Sequence, residues 1–373
     1  MIEIKEIHSK KDLKKFVKFP FSLYKDSKSW VPPIISEEIN TFDKAVNPVF
    51  DNAVGHFFLA YKNGKIVGRI AALINWIEVK EQGIKKMRFG WFDVIDDIEV
   101  SRALLNKVNE IGKSHELEFI EGPIGFSNLD KVGVVYEGND HIGSMITWEN
   151  HRYYVDHLEA LGFTFGKGYS ESKFAYSDIK AENFQKIQSL IKRRYGLKSL
   201  NFKSTKEILP YTEEMFEVFS KSHEVLSSFV DINDRQKEYF KKKFIPFLTP
   251  EYVQFVVDKE DKLVGFAIVT PSYARALQKM KGNLWPFGFR HLLKAKKHSK
   301  SVTFYLIGIL PEYQNKGVTA IIFDEYYKEF GKRGITECLR GPELDDNEAI
   351  HKLWRHFNPK VFKRRCTYKK DII

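Results

Sequence analysis

The chain has 373 residues, too many for one ordinary core and enough for two domains. Its two cysteines, Cys338 and Cys366, have no paired spacing, so a disulfide framework is excluded. No stretch reaches the roughly 18 apolar residues of a membrane span. The net charge of +11 narrows the partners to nucleic acid, an anionic membrane surface or an anionic small molecule; lysines spread along the whole chain also read as a solvated basic surface.

In chain order, Ile2-Glu3-Ile4 alternates as an opening strand rather than a signal peptide, so a cytoplasmic location is expected. A hairpin follows, His56–Tyr61 and Ile66–Ala71 around Asn63-Gly64. Next come a strand (Met87–Val94), a helix (Val100–His115) and a strand from Leu117 that ends at Gly122-Pro123. The segment Ile179–Tyr195 reads as a polar helix, and Leu197–Phe202 restarts a strand. A second hairpin, Val253–Val257 and Leu263–Val269, precedes a strand (Val302–Leu310), a helix (Gly317–Lys332) and a strand from Thr336 to Gly341-Pro342.

The two series share one order. Gly68 and Gly265 of the hairpins lie 197 residues apart and the Gly-Pro pairs 219 apart, which leaves 22 extra residues in the second half. Spacing of this length means duplicated domains. The expected organisation is a domain at 1–178, a linker helix at 179–196 and a domain at 197–373 with an insertion near 272–300. The class is α+β, a mixed sheet flanked by helices.

The sharpest local pattern is Leu306-Ile307-Gly308-Ile309-Leu310-Pro311-Glu312-Tyr313-Gln314-Asn315-Lys316-Gly317-Val318-Thr319-Ala320, an apolar strand turning into an apolar-periodic helix. Unpaired N–H groups and the positive end of a helix dipole suit a diphosphate there, with Gly317 allowing close approach and Lys316 adding charge. Gln314–Thr319 resembles the acyl-CoA pyrophosphate loop of the GNAT superfamily, with Thr319 in place of the final small residue. The resemblance implies a substrate, acetyl-CoA or a longer acyl-CoA, held by Ile309, Leu310, Gln314, Asn315, Lys316, Gly317, Val318, Thr319 and Asn347. A 219-residue offset sets Ile95, Asp96, Asp97 and Ile98 over Gln314 to Gly317. Two carboxylates there repel a diphosphate, so the first half is expected to lack the cofactor loop. Gly122–Gly138, Ala274–Lys294 and the tail Lys363–Lys370 are similar to one family of bacterial tandem-GNAT proteins of unassigned acceptor.

The GNAT resemblance also implies a carboxylate or water as base and a tyrosine acid on the helix after the Gly-Pro strand. Trp354 stands where that tyrosine is expected, and Tyr153 and Tyr154 come about one turn early in the first half. The candidate catalytic carboxylates are Glu343, Asp130 and Glu137; each also reads as a turn cap or a surface charge. Tyr305 reads as core, and Asn347 as a helix cap. His351 and His356, five apart on a helix, point away from each other, so no metal is expected. In the insertion, Trp285, Phe287, Phe289, Leu292 and Leu293 abut Lys294, Lys296, Lys297 and Lys300, a pattern that suits peripheral membrane contact through 285–300, a lid, or a packed hairpin with a basic edge.

The leading reading is acyl-CoA-dependent N-acylation of an amine, with a long-chain lipid amine as the favoured acceptor, in the cleft between halves. Two alternatives stand beside it. One is peptide-bond formation from aminoacyl-tRNA, which predicts salt-sensitive tRNA binding. The other is a non-catalytic acyl-CoA sensor or interaction protein.

Overall fold

The structure is a computed structural model that describes residues 1–372 except Asn128 and residues 225–228. Asn128 of the family-like stretch Gly122–Gly138 therefore lies outside the described residues.

The strands are β1 (Ile2–Glu6), β2 (Ala53–Lys62), β3 (Lys65–Asn75), β4 (Lys86–Val94), β5 (Phe119–Gly122), β6 (Val134–Glu137) and β7 (Thr164–Ala175). The second series is β8 (Lys198–Leu200), β9 (Val253–Val257), β10 (Leu263–Pro271), β11 (Ser301–Ile309), β12 (Glu337–Leu344) and β13 (Lys360–Asp371). Local chemistry explains the joints. Asn63 and Gly64 both take positive φ (52° and 74°) in the two-residue turn between β2 and β3, as a primed hairpin turn requires. The helix Glu182–Tyr195 ends where Gly196 adopts the left-handed conformation.

All of these strands join one sheet, in the order β1-β2-β3-β4-β5-β13-β7-β12-β11-β10-β9-β8, with β6 on the side of β13. The centre of this order is an exchange. The last strand of the first half, β7, pairs with β12 of the second, and the last strand of the chain, β13, pairs with β5 of the first. β7 and β13 then pair with each other from Thr164 to Lys173. Buried ion pairs close this seam: Lys363 meets Glu149 at 2.6 Å and Arg365 meets Glu171 at 2.5 Å, both cations fully buried. Two charges taken from water survive there only because each is paired and hydrogen-bonded.

Helices cover both faces. In the first half, Ile98–Ser114 and Tyr153–Ala160 pack over Ile70, Met87 and Val94, while Lys10–Leu23 covers Phe57, Leu73 and Trp91 on the other face. In the second, Glu182–Tyr195 and Val318–Arg333 cover Val256, Val302 and Phe304, and Thr212–His223 covers Phe255 and Phe266. Residues 272–300, between β10 and β11, hold the helices Ala274–Met280 and Gly288–His298. A separate apolar cluster joins this region to Val31 and Ile34 of the first half.

Candidate active site

In each half two parallel strands run together and then part. β4 and β5 pair only from Lys86–Phe119 to Arg88–Glu121, and β11 and β12 only from Ser301–Glu337 to Phe304–Arg340. What fills the resulting wedge differs between the halves.

In the first half the ladder bond from Ile95 N–H to Val67 C=O makes Val94 the outward-facing member of its pair. Its N–H donates to the Tyr154 hydroxyl (2.9 Å), and its carbonyl accepts from the Tyr153 hydroxyl (2.7 Å). Tyr154 also lies 2.8 Å from the hydroxyl of Tyr24, which donates to Asp93. Burial, reinforced by Asp93, raises the Tyr154 phenol far above its ordinary pKa, so it stays protonated. Every residue of β4 is buried.

The second half repeats the strand geometry without the plug. Leu310 N–H bonds Val264 C=O, so Ile309 is the counterpart of Val94 and turns its N–H and C=O into the opening. The carbonyl takes a 3.3 Å bond from the Gln314 amide. Among the described residues no tyrosine reaches the N–H. Trp354 is buried and turns its indole N–H to Glu343 (3.0 Å). Tyr305, Leu306 and Ile307 of β11 are half-exposed, as are Gly341, Pro342 and Glu343 on β12.

The helices that follow differ in the same sense. Only Ile95 and Asp96 separate Val94 from Asp97, the N-cap of Ile98–Ser114. Seven residues separate Ile309 from Gly317, the N-cap of Val318–Arg333. Asp97, rather than Ile98, is thus the counterpart of Gly317, a correction of one residue to the fixed offset because the connecting loops differ in length. The Asp97 carboxylate fills its own helix end, accepting from Glu99 N–H (3.1 Å) and pairing with Lys62 (2.7 Å). The helix at Gly317 has neither a capping side chain nor an acid in its first turn. Gly317 has φ 77°, and a Cβ on it would stand 2.2 Å from Ile191 Cδ1. Lys316 lies over the Tyr313 ring (4.5 Å). Val318 is buried, Thr319 is half-buried, and Asn315 is exposed. Asn347 caps Glu348–Trp354, accepting from Ile350 N–H (3.2 Å). An uncapped helix end, a glycine at positive φ and an outward-facing strand N–H together fit a diphosphate with an extended amide-bearing arm.

Between the halves lies a cavity of about 110 Å³. The first half contributes Trp91, Asp130, Lys131, Met145 and Ile146, and the second contributes Phe244, Phe247, Leu277 and Tyr305. It reaches the wedge of the second half. Tyr305 is the bulged residue at which β11 leaves β12, and Ile146 lies against Gly341, where a Cβ would be 3.1 Å away. The Tyr305 hydroxyl is buried and has no hydrogen-bond partner among the described residues. Burial, with the nearby Asp130 charge, raises its pKa, so it remains a donor. Asp130 accepts from Ser127 N–H (2.9 Å) and Ser127 Oγ (3.1 Å). Burial lowers the pKa of Lys131.

The three carboxylates singled out in the sequence do not converge. Asp130 alone lines the cavity. Glu343 is bound to Arg340 and Trp354, and Arg340 stacks on the Trp354 ring (4.7 Å). Glu137 is two-thirds exposed on β6 beside Arg364 (3.5 Å). Tyr305, read as core in the sequence, lines the cavity because the bulge at Ile268/Val269 shifts it out of the ladder. Among the described residues no group of three or more His, Cys, Asp or Glu could hold a metal ion.

A tandem GNAT protein from the clavulanic acid biosynthesis pathway superposes over all of this chain and 99% of its own, with a TM-score of 0.58 and 9% identity. This chain has the tandem GNAT fold. In sequence it is similar to Protein YghO of Escherichia coli, 26% identical over 98% of this chain and 94% of that one. It is also similar to the bacterial ceramide synthase of Caulobacter vibrioides, 24% identical over 81% of this chain and 79% of that one. No protein-family model matches. Within the tandem GNAT fold, the first half carries the filled wedge and the second the open one.

Proposed function

We propose that the protein is an acyl-CoA-dependent N-acyltransferase that takes one acyl-CoA at the second wedge and an amine in the inter-half cavity. The observation that carries this reading is the meeting of the open wedge and the cavity at Tyr305. Gln314–Thr319 and the Ile309 backbone would hold the donor, with Asn347 at the wedge's far side. Bound acyl-CoA supplies a thioester carbonyl.

An alkylammonium of pKa about 10.4 is almost wholly protonated at neutral pH, so the acceptor needs a base. Asp130, the cavity's candidate carboxylate, takes the proton from the acceptor nitrogen. The C–N bond forms as the C–S bond breaks; a second proton, lost from the nitrogen as the amide forms, goes to the departing sulfur while the first leaves Asp130 for solvent, giving an amide and a free thiol. The Tyr305 hydroxyl, buried and protonated, donates a hydrogen bond to the charge that develops on the carbonyl oxygen.

The apolar walls (Trp91, Met145, Ile146, Phe244, Phe247, Leu277) favour a long-chain amine. The relative named bacterial ceramide synthase supports that choice, since ceramide is an N-acylated long-chain amine. The test is thiol release from palmitoyl-CoA in the presence of sphinganine, with the amide identified by mass. Asp130→Asn is expected to lower kcat by roughly 10²–10⁴-fold while acyl-CoA still binds. No thiol release with sphinganine or a panel of other amines would overturn the assignment.

A further inference from the structure

From Lys262 to Pro311 the chain carries nine lysines or arginines and no aspartate or glutamate. The charge is arranged. In the helix Gly288–His298 no residue is fully buried, and the exposed positions are Arg290, Leu293, Lys294, Lys297 and His298. Their spacing of three, four, seven and eight places them on one outward stripe. Among the described residues Arg290, Lys294 and Lys297 have no carboxylate partner; Arg290 instead lies over the Phe287 ring (5.1 Å).

Beside this stripe stands an apolar tip. Trp285 is 72% exposed, Phe287 63% and Leu293 58%, and Trp285 packs on Phe289 at 5.1 Å. The tip is rooted firmly. Gly282 is pressed against Phe21 and Ile35 of the first half, so that a Cβ there would come within 2.5 Å of the Phe21 ring. The inner face of the helix places Leu292 and Ala295 against the cluster of Leu277, Met280 and Tyr273. Leu277, together with Met145 and Phe247 of that cluster, also walls the inter-half cavity.

We infer that Trp285–Lys300 is a docking surface for an anionic lipid bilayer, which lies in the plane of the interface with Trp285, Phe287 and Leu293 in the headgroup–acyl boundary. Exposing three large apolar side chains to water is costly unless something covers them. Unpaired cations flanking aromatic residues match a negatively charged lipid surface, where each contributes about 1 kcal/mol. Among the described residues no helix is long and apolar enough to cross a membrane, so the contact is peripheral to the bilayer. The surface follows from exposure and charge alone and stands whether or not the protein transfers acyl groups. It adds a route, because the docked helix is one layer from the cavity.

The experiment is cosedimentation of the full chain with phosphatidylcholine vesicles, with and without phosphatidylglycerol. Binding to the anionic vesicles and not to the neutral ones is expected. Lys294→Gln/Lys297→Gln should weaken it on the order of tenfold to thirtyfold, and Trp285→Ser/Phe287→Ser on the order of tenfold or more. All four positions are exposed, so unchanged thermal melting serves as the folding control. Absence of binding to anionic vesicles, or binding that survives both double variants, would overturn the inference. So would lysine variants that lose affinity for tRNA while their vesicle binding is unchanged.

Discussion

The two wedges are built alike and furnished differently. In the first, two tyrosine hydroxyls occupy the N–H and C=O of Val94, and Asp97 occupies the following helix end. In the second, the corresponding strand residue Ile309 faces the opening, and the helix begins at a bare Gly317. Side chains close the first wedge by satisfying its backbone groups internally, so the same strand geometry makes a wall in one half and an opening in the other.

The largest effect expected from testing this contrast lies behind the filled wedge. There Glu78, almost wholly buried, joins Arg88 (2.7 Å) and Lys86 (2.8 Å). At the second wedge the ion pair is the smaller one of Arg340 with Glu343, and Phe304, Phe323 and Trp354 pack edge to face beside it. Glu78→Gln removes the carboxylate partner of Arg88 and the nearer partner of Lys86, which keeps Glu121 at 3.5 Å, and should cost about 3–5 kcal/mol in denaturant unfolding. Burial alone would raise the Glu78 pKa, but Arg88 and Lys86 outweigh it and hold the carboxyl at about 2. A folded-state pKa below the unfolded value means stability that is complete above about pH 4.5. It is lost as the pH falls toward 2, by about 3 kcal/mol. Stability that is flat across that window would break this part of the comparison.

Tyr154→Phe is next in size. It leaves the buried Val94 N–H without its acceptor and should cost about 1–3 kcal/mol, with acyl-CoA binding unchanged. Altered acyl-CoA affinity in this variant would place the donor on the wrong side of the molecule.

Gly317→Ala should have the smallest effect on folding and the clearest on the donor. A residue with a Cβ at φ 77° costs roughly 1–2 kcal/mol, and the close Ile191 contact adds to it. Palmitoyl-CoA affinity should fall about tenfold or more, read by calorimetry. Wild-type affinity in this variant would remove the helix end from the site.

Much of this was legible because its signals are local. Asn63-Gly64, Gly317 and the alternation of apolar residues mark turns and strands within a few positions of themselves. The exchange of β7 and β13 was hidden, since each could pair with either half by pattern alone and only long-range register decides. The roles of Tyr153 and Tyr154 depend on Val94, about sixty residues earlier, and no spacing rule connects them. Tyr305 packs against the core of the second half, as its strand position suggests, but the bulge that also brings it to the cavity has no sequence signal. Glu343 was a reasonable candidate by position, yet Arg340 and Trp354 hold it, and a pairing across the Gly341-Pro342 irregularity cannot be read from residue types.

The central claim is that one wedge is open and one is filled, and the stoichiometry of donor binding tests it most directly. Calorimetric titration with palmitoyl-CoA should give one equivalent per chain, weakened about tenfold by Lys316→Glu through charge reversal. Two equivalents would contradict the filled first wedge. A single equivalent indifferent to Lys316→Glu, or none, would contradict the open second one.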